Sequence, residues 1–387
     1  MKNKIHLSLI VFFTAASLLI AYYFLSYFWL LLVGCALVFF ALSLCLPVFE
    51  KAGVILFATF FSLTLVELVV PYFDKEKNSG VYYENVPPYS EYSKYNITNA
   101  DIGHSARPGI YHRKKLTNDG EVIYDVIYSI GADGFRITND ESLDHVPRIN
   151  FYGCSFTFGA GLNDDETLPY YFKNKFKNVS VKNFGFHGYG AHDALAILQS
   201  KRDTKGDINF FLTAPWHAPR SACVQQWTAG SPRYRLTDAG KVERVGRCND
   251  KKNMGFVQKF FEQSDLFNFI KETILSLPSS QDAQIDLYLA LVKEIAEISR
   301  QRNQKFIIGF IKAKDDWFKG SYTNEKVFQQ LSGLDAEIIN LSLTPSDEKL
   351  SRRYYIHELD KHPSAEANRE RAEKLASMLE GMIANKQ

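Results

Sequence analysis

The chain has 387 residues, which is too long for one ordinary domain and suits a membrane anchor followed by one large globular domain. Its 45 Lys and Arg residues nearly balance its 43 Asp and Glu residues, so the formal net charge is only +2. A chain so close to neutral lacks the basic footprint of a nucleic-acid-binding protein, and we expect no nucleic-acid partner.

Three apolar runs open the chain and predict three transmembrane helices. Residues 5–26 and 28–49 contain no Asp, Glu, Lys or Arg, and residues 52–73 contain one acid, Glu67. Each run is long enough to cross about 30 Å of hydrocarbon as a helix. A cleaved signal peptide is the competing interpretation of the first run, but two further spans follow it. We therefore predict a membrane anchor over residues 1–73, with the lipid bilayer as a partner.

Basic residues beside the spans predict the orientation of this anchor. Lys2 and Lys4 precede the first span, and Lys51 separates the second from the third. The positive-inside rule puts these lysines in the cytoplasm. Three crossings then leave everything after Tyr72 outside. The expected location is the inner (plasma) membrane, multi-pass, with the globular part on the extracytoplasmic or periplasmic side.

Residues 74–147 form a predicted small β-rich lead-in. This region is polar and contains one clear strand, in which Val122, Tyr124, Val126, Tyr128 and Ile130 alternate with polar side chains. Alternation with a period of two is typical of a strand with one buried face.

Residues 148–387 predict an α/β domain. Short apolar runs alternate with helical patterns, which favours a three-layer αβα sandwich with a parallel sheet, of the flavodoxin-like kind. The predicted strands lie at 149–153, 179–184, 208–213, 306–311 and 337–343, and the clearest helices at 283–300 and 366–383. The long segment 218–280 has a mixed sequence pattern, and we interpret it as an insertion that shapes the substrate pocket.

A serine follows the first of these strands in a glycine-flanked turn, Gly153-Cys154-Ser155-Phe156-Thr157-Phe158-Gly159. In a parallel α/β sheet this position is the carboxyl end of a strand, where ligand crevices form. The turn also brings the hydroxyl near backbone N–H groups that can stabilise an oxyanion. Taken alone, a serine in such a turn is usually only a turn residue.

Two further motifs give that serine possible partners. Asn183-Phe184-Gly185-Phe186-His187-Gly188 follows the second strand, and Asp360-Lys361-His362-Pro363 precedes the last helix. A serine nucleophile needs a base, usually His, and an Asp two residues earlier can hold that imidazole in the required tautomer. We therefore predict Ser155, His362 and Asp360 as a catalytic triad.

The three motifs, in this order, resemble blocks I, II and V of the SGNH/GDSL hydrolase superfamily over roughly residues 148–385. The stretch Tyr-Ser-Ile-Gly-Ala-Asp-Gly-Phe-Arg that precedes them also resembles the lead-in of membrane-attached members. The usual Gly-Asp-Ser is Gly-Cys-Ser here, so Cys154 replaces an Asp that is not the triad acid in this family.

The resemblance also implies an oxyanion hole. Its donors would be the amides of Ser155 and Gly188, with a third donor from a block III Asn. This sequence has no Asn in the corresponding segment, which runs from Phe211 to His217. The ring N–H of His217 is the expected substitute, and Trp216 is the alternative.

Three side chains near these motifs are candidates for binding substrate: Trp216, Arg220 and His187. For Arg220, contact with an anionic or sugar-bearing substrate and an ordinary surface arginine both stay open. Cys223 and Cys248 are the one cysteine pair in polar, loop-like sequence, and either a disulfide or two unpaired thiols fits them.

The expected activity is that of a membrane-anchored serine esterase or O-acyltransferase on O-acyl esters of the cell envelope, with an acylated glycan or lipid as substrate. The alternative is a glycan-binding envelope protein that keeps the fold and has little or no activity. Cys154 as nucleophile is a third hypothesis. No metal-ligand spacing and no phosphate-binding glycine loop occur, so we expect neither metal nor cofactor.

Overall fold

In the computed structural model, the described residues are 28–45, 50–70, 81–84, 95–138, 146–176, 178–200, 202, 204–224, 230–248, 250, 264–275, 278–313, 322–343 and 353–384. The strands are β1 Val81–Glu84, β2 Asn96–Asn99, β3 Gly103–Ala106, β4 Gly109–Thr117, β5 Val122–Ile130, β6 Arg148–Tyr152, β7 Ser180–Asn183, β8 Ile208–Thr213, β9 Pro232–Leu236, β10 Val242–Arg247, β11 Lys305–Phe310, β12 Glu337–Asn340, β13 Tyr355–His357 and β14 Asp360–Pro363. The α-helices are α1 Phe28–Cys45, α2 Glu50–Val69, α3 Ser155–Phe158, α4 Leu168–Lys173, α5 Ala191–Gln199, α6 His217–Ser221, α7 Asp265–Leu275, α8 Pro278–Gln301, α9 Asn324–Ser332 and α10 Ala365–Ala384.

The chain divides into two compact units. One consists of Met1–Ser79 and Lys251–Ser276, and the other of Gly80–Asp250 and Leu277–Gln387. Each unit has its own architecture.

The first unit contains the apolar helices α1 and α2. They coincide with the second and third predicted spans, whereas the first predicted span lies outside the described residues. Within the described part of the chain, one helix, Lys51–Val69, is long and apolar enough to cross a membrane, with a mean hydropathy of 2.1. Length and composition alone support this, so three spans and their orientation stay predictions.

Glu67, the acid in the third predicted span, has partners inside the first unit. It accepts hydrogen bonds from the Ser264 hydroxyl at 2.9 Å and from the amide of Leu266 at 3.1 Å. Glu67 is therefore bonded to the first turn of α7.

The second unit is built on a five-stranded sheet whose strands are all parallel. The order is β12-β11-β8-β6-β7, so the strand that comes first in the chain, β6, lies between β7 and β8. This is the flavodoxin-like order, in which ligands bind beyond the carboxyl ends of the strands where the order reverses. The reversal falls between β6 and β8.

Helices cover both faces of the parallel sheet and make a three-layer αβα domain. On one face, Phe211 and Ile308 pack with α5 and α8 in one hydrophobic core. On the other face, Phe151 and Phe210 pack with α4 and α10 in a second core. The sheet is thus apolar on both sides, which explains why its strands appear in the sequence as continuous apolar runs rather than alternating ones.

The lead-in strands β1, β4 and β5 form a separate antiparallel sheet in the order β1-β4-β5. The strand predicted at 122–130 matches β5 at both ends. Buried lead-in side chains, among them Tyr95, Tyr128 and Phe135, belong to the same hydrophobic core as α5 and α8. The lead-in sheet therefore packs as a wall of the αβα domain.

Among the described residues, three small antiparallel hairpins complete the second unit, and the first of them is β2–β3. Strands β9 and β10 pair antiparallel, and a disulfide between Cys223 and Cys248 lies beside them. This bond resolves the alternative that the sequence left open for the two cysteines. Strands β13 and β14 form the third hairpin, directly before α10.

Candidate active site

Ser155 is the first residue of α3, just past the carboxyl end of β6. Gly153 makes the tight connection possible, because a Cβ there would meet the Thr157 hydroxyl oxygen at 2.2 Å and the Leu212 carbonyl oxygen at 2.9 Å. As the first residue of a helix, Ser155 has a backbone N–H with no acceptor inside that helix. Its side chain is largely buried at the switch point of the sheet.

The loop after β7 lies against this turn. Asn183, which is fully buried, donates its amide N–H to the Thr157 carbonyl at 3.0 Å and accepts the Gly185 amide at 3.0 Å. A Cβ on Gly185 would meet the Phe158 nitrogen at 2.6 Å, so only glycine lets the two loops approach this closely. Gly188 follows in the same loop at a positive φ of 75°.

Hairpin β13–β14 brings the other two predicted triad members to Ser155. The Nε2 atom of His362 lies 2.9 Å from the Ser155 Oγ atom. The Nδ1 atom of His362 lies 2.5 Å from Oδ1 of Asp360, which also accepts the His362 backbone N–H at 3.1 Å. The three side chains form one hydrogen-bonded chain across 207 residues of sequence. In this arrangement His362 can take the Ser155 proton while Asp360 fixes the tautomer of the ring.

Asp360 has a second partner that the sequence did not suggest. The ammonium group of Lys115, from β4, donates to Oδ2 of Asp360 at 2.8 Å, and both side chains are buried, with exposures of 10% and 4%. Burial alone would raise the pKa of the Asp360 carboxyl, but hydrogen bonding to His362 and the nearby charges of His362 and Lys115 hold it well below its usual range. Asp360 is therefore ionised throughout the neutral range.

His187 packs among aromatic side chains on the Gly188 loop. Its ring centroid lies 4.6 Å from that of Phe158 and 5.1 Å from that of Phe186. Burial, followed by the charge of His362, lowers the pKa of His187 to about 3. The ring is thus neutral at physiological pH, and its role in binding substrate stays a prediction.

His217, the expected third oxyanion donor, is fully buried at the start of α6. Its Nδ1 atom lies 3.0 Å from the Thr213 hydroxyl, which in turn lies 2.7 Å from the Tyr288 hydroxyl. Its Nε2 atom has no hydrogen-bond partner among the described residues, and none of its described contacts reaches Ser155 or His362. Burial and the charge of Arg220 lower the pKa of this ring well below the usual range, so it is neutral. Its role in an oxyanion hole stays a prediction.

Trp216 and Arg220 have different neighbours. The Trp216 ring lies 5.0 Å from the Phe156 ring at an interplanar angle of 59°, and the Phe156 ring lies 5.6 Å from that of His362. Arg220 donates to the Tyr189 carbonyl at 3.4 Å, within the loop that follows Gly188.

Lys115 and Arg136 are the two site residues that sequence reasoning missed. The signal for Lys115 was the pattern of β4, where Tyr111, Arg113 and Lys115 share the buried face. Cations on a buried face need partners. Arg136 ends the stretch that resembles the family lead-in, and it binds the loop that follows α3.

No protein-family model and no curated protein sequence matches the chain. Among solved structures, it is similar to a lipolytic protein of the G-D-S-L family from Veillonella parvula, with a TM-score of 0.37 and 13% identity over 61% of this chain and 99% of that one. An esterase from Pseudoalteromonas matches with a TM-score of 0.33 and 12% identity over 62% and 100% of the two chains. An acetyl xylan esterase from Butyrivibrio proteoclasticus matches with a TM-score of 0.34 and 11% identity over 70% and 68%. Several of the matched proteins are thus named as members of the family that the motifs resemble, while the activity of this chain is inferred from its own side chains.

Proposed function

We propose that the chain is a serine esterase or O-acyltransferase that acts on O-acyl esters. The observation that carries this proposal is the chain of hydrogen bonds from Ser155 through His362 to Asp360, with distances of 2.9 Å and 2.5 Å. A serine, a histidine and an ionised, buried aspartate in this order are the parts that nucleophilic acyl transfer needs.

The first half-reaction forms an acyl-enzyme. Nε2 of His362 takes the proton of the Ser155 hydroxyl while Oγ attacks the ester carbonyl carbon, and the C=O electron pair becomes the oxyanion. When the tetrahedral species collapses, the ester C–O bond breaks and His362 gives its proton to the leaving alkoxide. The second half-reaction repeats these steps with water or another hydroxyl as the attacking group, so the same triad suits a hydrolase and a transferase.

The oxyanion would bind to backbone amides at the switch point. The Ser155 N–H lies at the N-terminus of helix α3. Gly188 lies in the neighbouring loop, which Asn183 joins to the turn after Ser155 by its hydrogen bond to the Thr157 carbonyl. Losing one such donor costs roughly 10²–10³ in rate in a well-studied serine protease. His217 is proposed as the third donor through Nε2, because that nitrogen is buried and lacks a partner among the described residues.

The substrate class is inferred from the surroundings of the catalytic unit. Helix Lys51–Val69 suits a membrane span, and its apolar side chains are exposed, with Ile55 at 65%. The disulfide between Cys223 and Cys248 fits an oxidising compartment. Both features support a membrane-attached protein whose catalytic unit lies outside the cytoplasm. From the three apolar runs we extend this proposal to a multi-pass inner-membrane protein that acts in the periplasm on acylated glycans or lipids of the envelope.

The second candidate function is glycan binding without turnover. Two observations favour it. The segment after β8 has no Asn, and the His217 ring is hydrogen-bonded to the Thr213 hydroxyl, which also bonds to Tyr288. The complete hydrogen-bonded triad opposes it.

Hydrolysis of p-nitrophenyl acetate by the full chain in detergent separates the two candidates. We expect turnover, and a loss of at least about 10³-fold in kcat/KM in Ser155→Ala, since the remaining groups cannot form an acyl-enzyme. Cys154→Ala is the matched control, because Cys154 is a buried neighbouring thiol outside the triad.

Full activity in Ser155→Ala together with its loss in Cys154→Ala would assign the nucleophile to the thiol instead. Absence of turnover on this ester and on acetylated sugars, with or without an acceptor glycan, would favour the binding protein. Product analysis in the same assay, with acceptor present, separates esterase from transferase.

A further inference from the structure

We infer that Lys115 is a positioning residue for the triad: it holds Asp360 in the orientation that His362 requires. This inference rests on the proposed function and deepens it. It makes the lead-in sheet a working part of the active site rather than a spacer between the membrane anchor and the catalytic domain.

The hairpin that carries Asp360 and His362 rests on the lead-in sheet. Ile356 of β13 and Tyr124 of β5 converge on Gly161, where an added Cβ would meet their side chains at 2.5 Å and 2.9 Å. His357 lies 3.4 Å from the carboxylate of Glu121, the residue before β5. With the bond from Lys115 to Asp360, the lead-in therefore contacts both strands of this hairpin.

The two carboxylate oxygens of Asp360 have different hydrogen-bond donors. Oδ1 accepts hydrogen bonds from the ring and backbone N–H groups of His362, and Oδ2 accepts one from the ammonium group of Lys115 at 2.8 Å. A carboxylate held at one oxygen only can rotate about its terminal bond. Held at both, its plane is fixed, and with it the direction in which the His362 ring points toward Ser155.

The positive charge of Lys115 argues against a purely electrostatic role for the Lys115–Asp360 pair. A cation beside Asp360 weakens the carboxylate's attraction for the imidazolium that forms during catalysis. If only charge mattered, removing Lys115 would help the reaction. The burial of both side chains, at 10% and 4% exposure, instead fits a fixed contact whose contribution is orientation.

The charged and titratable groups facing His362 are few among the described residues. They are Asp360 on its own strand, Lys115 from β4 and His187 from the loop after β7, and the His187 ring is neutral. Removing Lys115 takes away the cation that is bonded to Asp360. A reaction that needs a neutral base beside Asp360 should then be more sensitive to acid, so we expect the acid limb of the rate profile to move to higher pH.

Steady-state kinetics of Lys115→Met in the full, detergent-solubilised chain tests this inference, with p-nitrophenyl acetate as substrate. We expect kcat to fall by about 10²-fold with KM nearly unchanged, the size of effect that misplacement of a catalytic group produces. The acid limb of kcat/KM should move to higher pH. Lys115→Arg should recover part of the lost kcat, because a guanidinium can still donate to the carboxylate.

Lys114→Met is the matched control. Lys114 is the next residue on β4, its ammonium group lies 3.9 Å from Asp125, and its side chain is 26% exposed. It should keep the wild-type kcat and pH profile. If Lys115→Met does not fold, Lys115→Gln, which retains a shorter donor, should show the same changes on a smaller scale.

Wild-type kcat and an unmoved acid limb in a folded Lys115 variant, in a chain that Ser155→Ala inactivates, would overturn the inference and leave the proposed function intact. An inactive wild-type chain would contradict the proposed function, and this inference with it.

Discussion

Asp193 is a carboxyl group buried at the start of α5, and its burial raises its pKa to about 7 from an ordinary value of 3.8. The Gly190 amide donates to it at 2.8 Å, and this bond offsets only part of the desolvation. Folding therefore favours the protonated form of Asp193. The carboxyl group of Asp360, in contrast, is held ionised.

This raised pKa predicts that the contribution of Asp193 to stability falls as the pH rises. The folded state binds the proton more tightly than the unfolded chain, so the stabilisation is complete below about pH 4 and is lost as the pH rises toward 7. The difference of about three pH units corresponds to roughly 4 kcal/mol. Denaturant unfolding of the wild type and Asp193→Asn between pH 4 and pH 8 measures it. The free energy of unfolding of the wild type should fall relative to that of the variant as the pH rises.

The exposed Asp238 in the β9–β10 turn provides the control, since Asp238→Asn should leave the pH dependence as in the wild type. Equal slopes for wild type and Asp193→Asn would show that the Asp193 proton is not linked to folding.

At the scale of elements, Arg136 joins the lead-in to the loop after α3. Its guanidinium donates to Asp164 at 2.8 Å, to the carbonyls of Gly159 and Leu162 at 2.7 Å and 2.6 Å, and lies 4.4 Å from the Tyr128 ring centroid. The side chain is 2% exposed. One buried cation therefore donates to several carbonyls of this loop, of which that of Gly159 also accepts the Leu162 amide at 3.2 Å.

Arg136→Met should destabilise the second unit by about 3–5 kcal/mol, because it leaves those acceptors and the Asp164 charge without their donor. For a unit of this size, that corresponds to a fall in Tm of about 10 °C. Thermal unfolding followed by circular dichroism measures it. Arg235→Met is the control: Arg235 pairs with Glu243 at 2.8 Å with side chains 64% and 52% exposed, so its loss should have little effect. A Tm shift equal to that of the control would contradict this role for Arg136.

The elements that the sequence predicted well are those in which the buried residues are apolar and follow a regular pattern. The strand expected at 208–213 has the same bounds as β8, because a parallel strand that is covered on both faces is a continuous apolar run. The helices expected at 283–300 and 366–383 appear as α8 and α10, each a few residues longer. Strand β4 was missed because its buried face carries Arg113 and Lys115, which look like surface residues until their partners are known.

At the scale of the whole molecule, the site depends on contacts that local sequence does not encode. The pairing of Ser155 with His362 could be expected from the order of the motifs and their resemblance to a known family. The sequence did not indicate that His362 lies on the antiparallel hairpin β13–β14 rather than at the end of a strand of the parallel sheet. The pairing of Lys115 with Asp360 could not be expected, because 245 residues separate them and no local pattern links a lead-in strand to the last hairpin. The surroundings of His217 were equally hidden, because its hydrogen-bond partner Thr213 is bonded in turn to Tyr288, which lies 75 positions after Thr213, on α8.

Reaction of the full chain with a fluorophosphonate probe, followed by peptide mass spectrometry, tests the central claim most directly. The account predicts one adduct, on the Oγ atom of Ser155, that is absent in Ser155→Ala and forms far more slowly in His362→Ala. An adduct on a different residue, or ester turnover that survives in Ser155→Ala without any adduct, would contradict it.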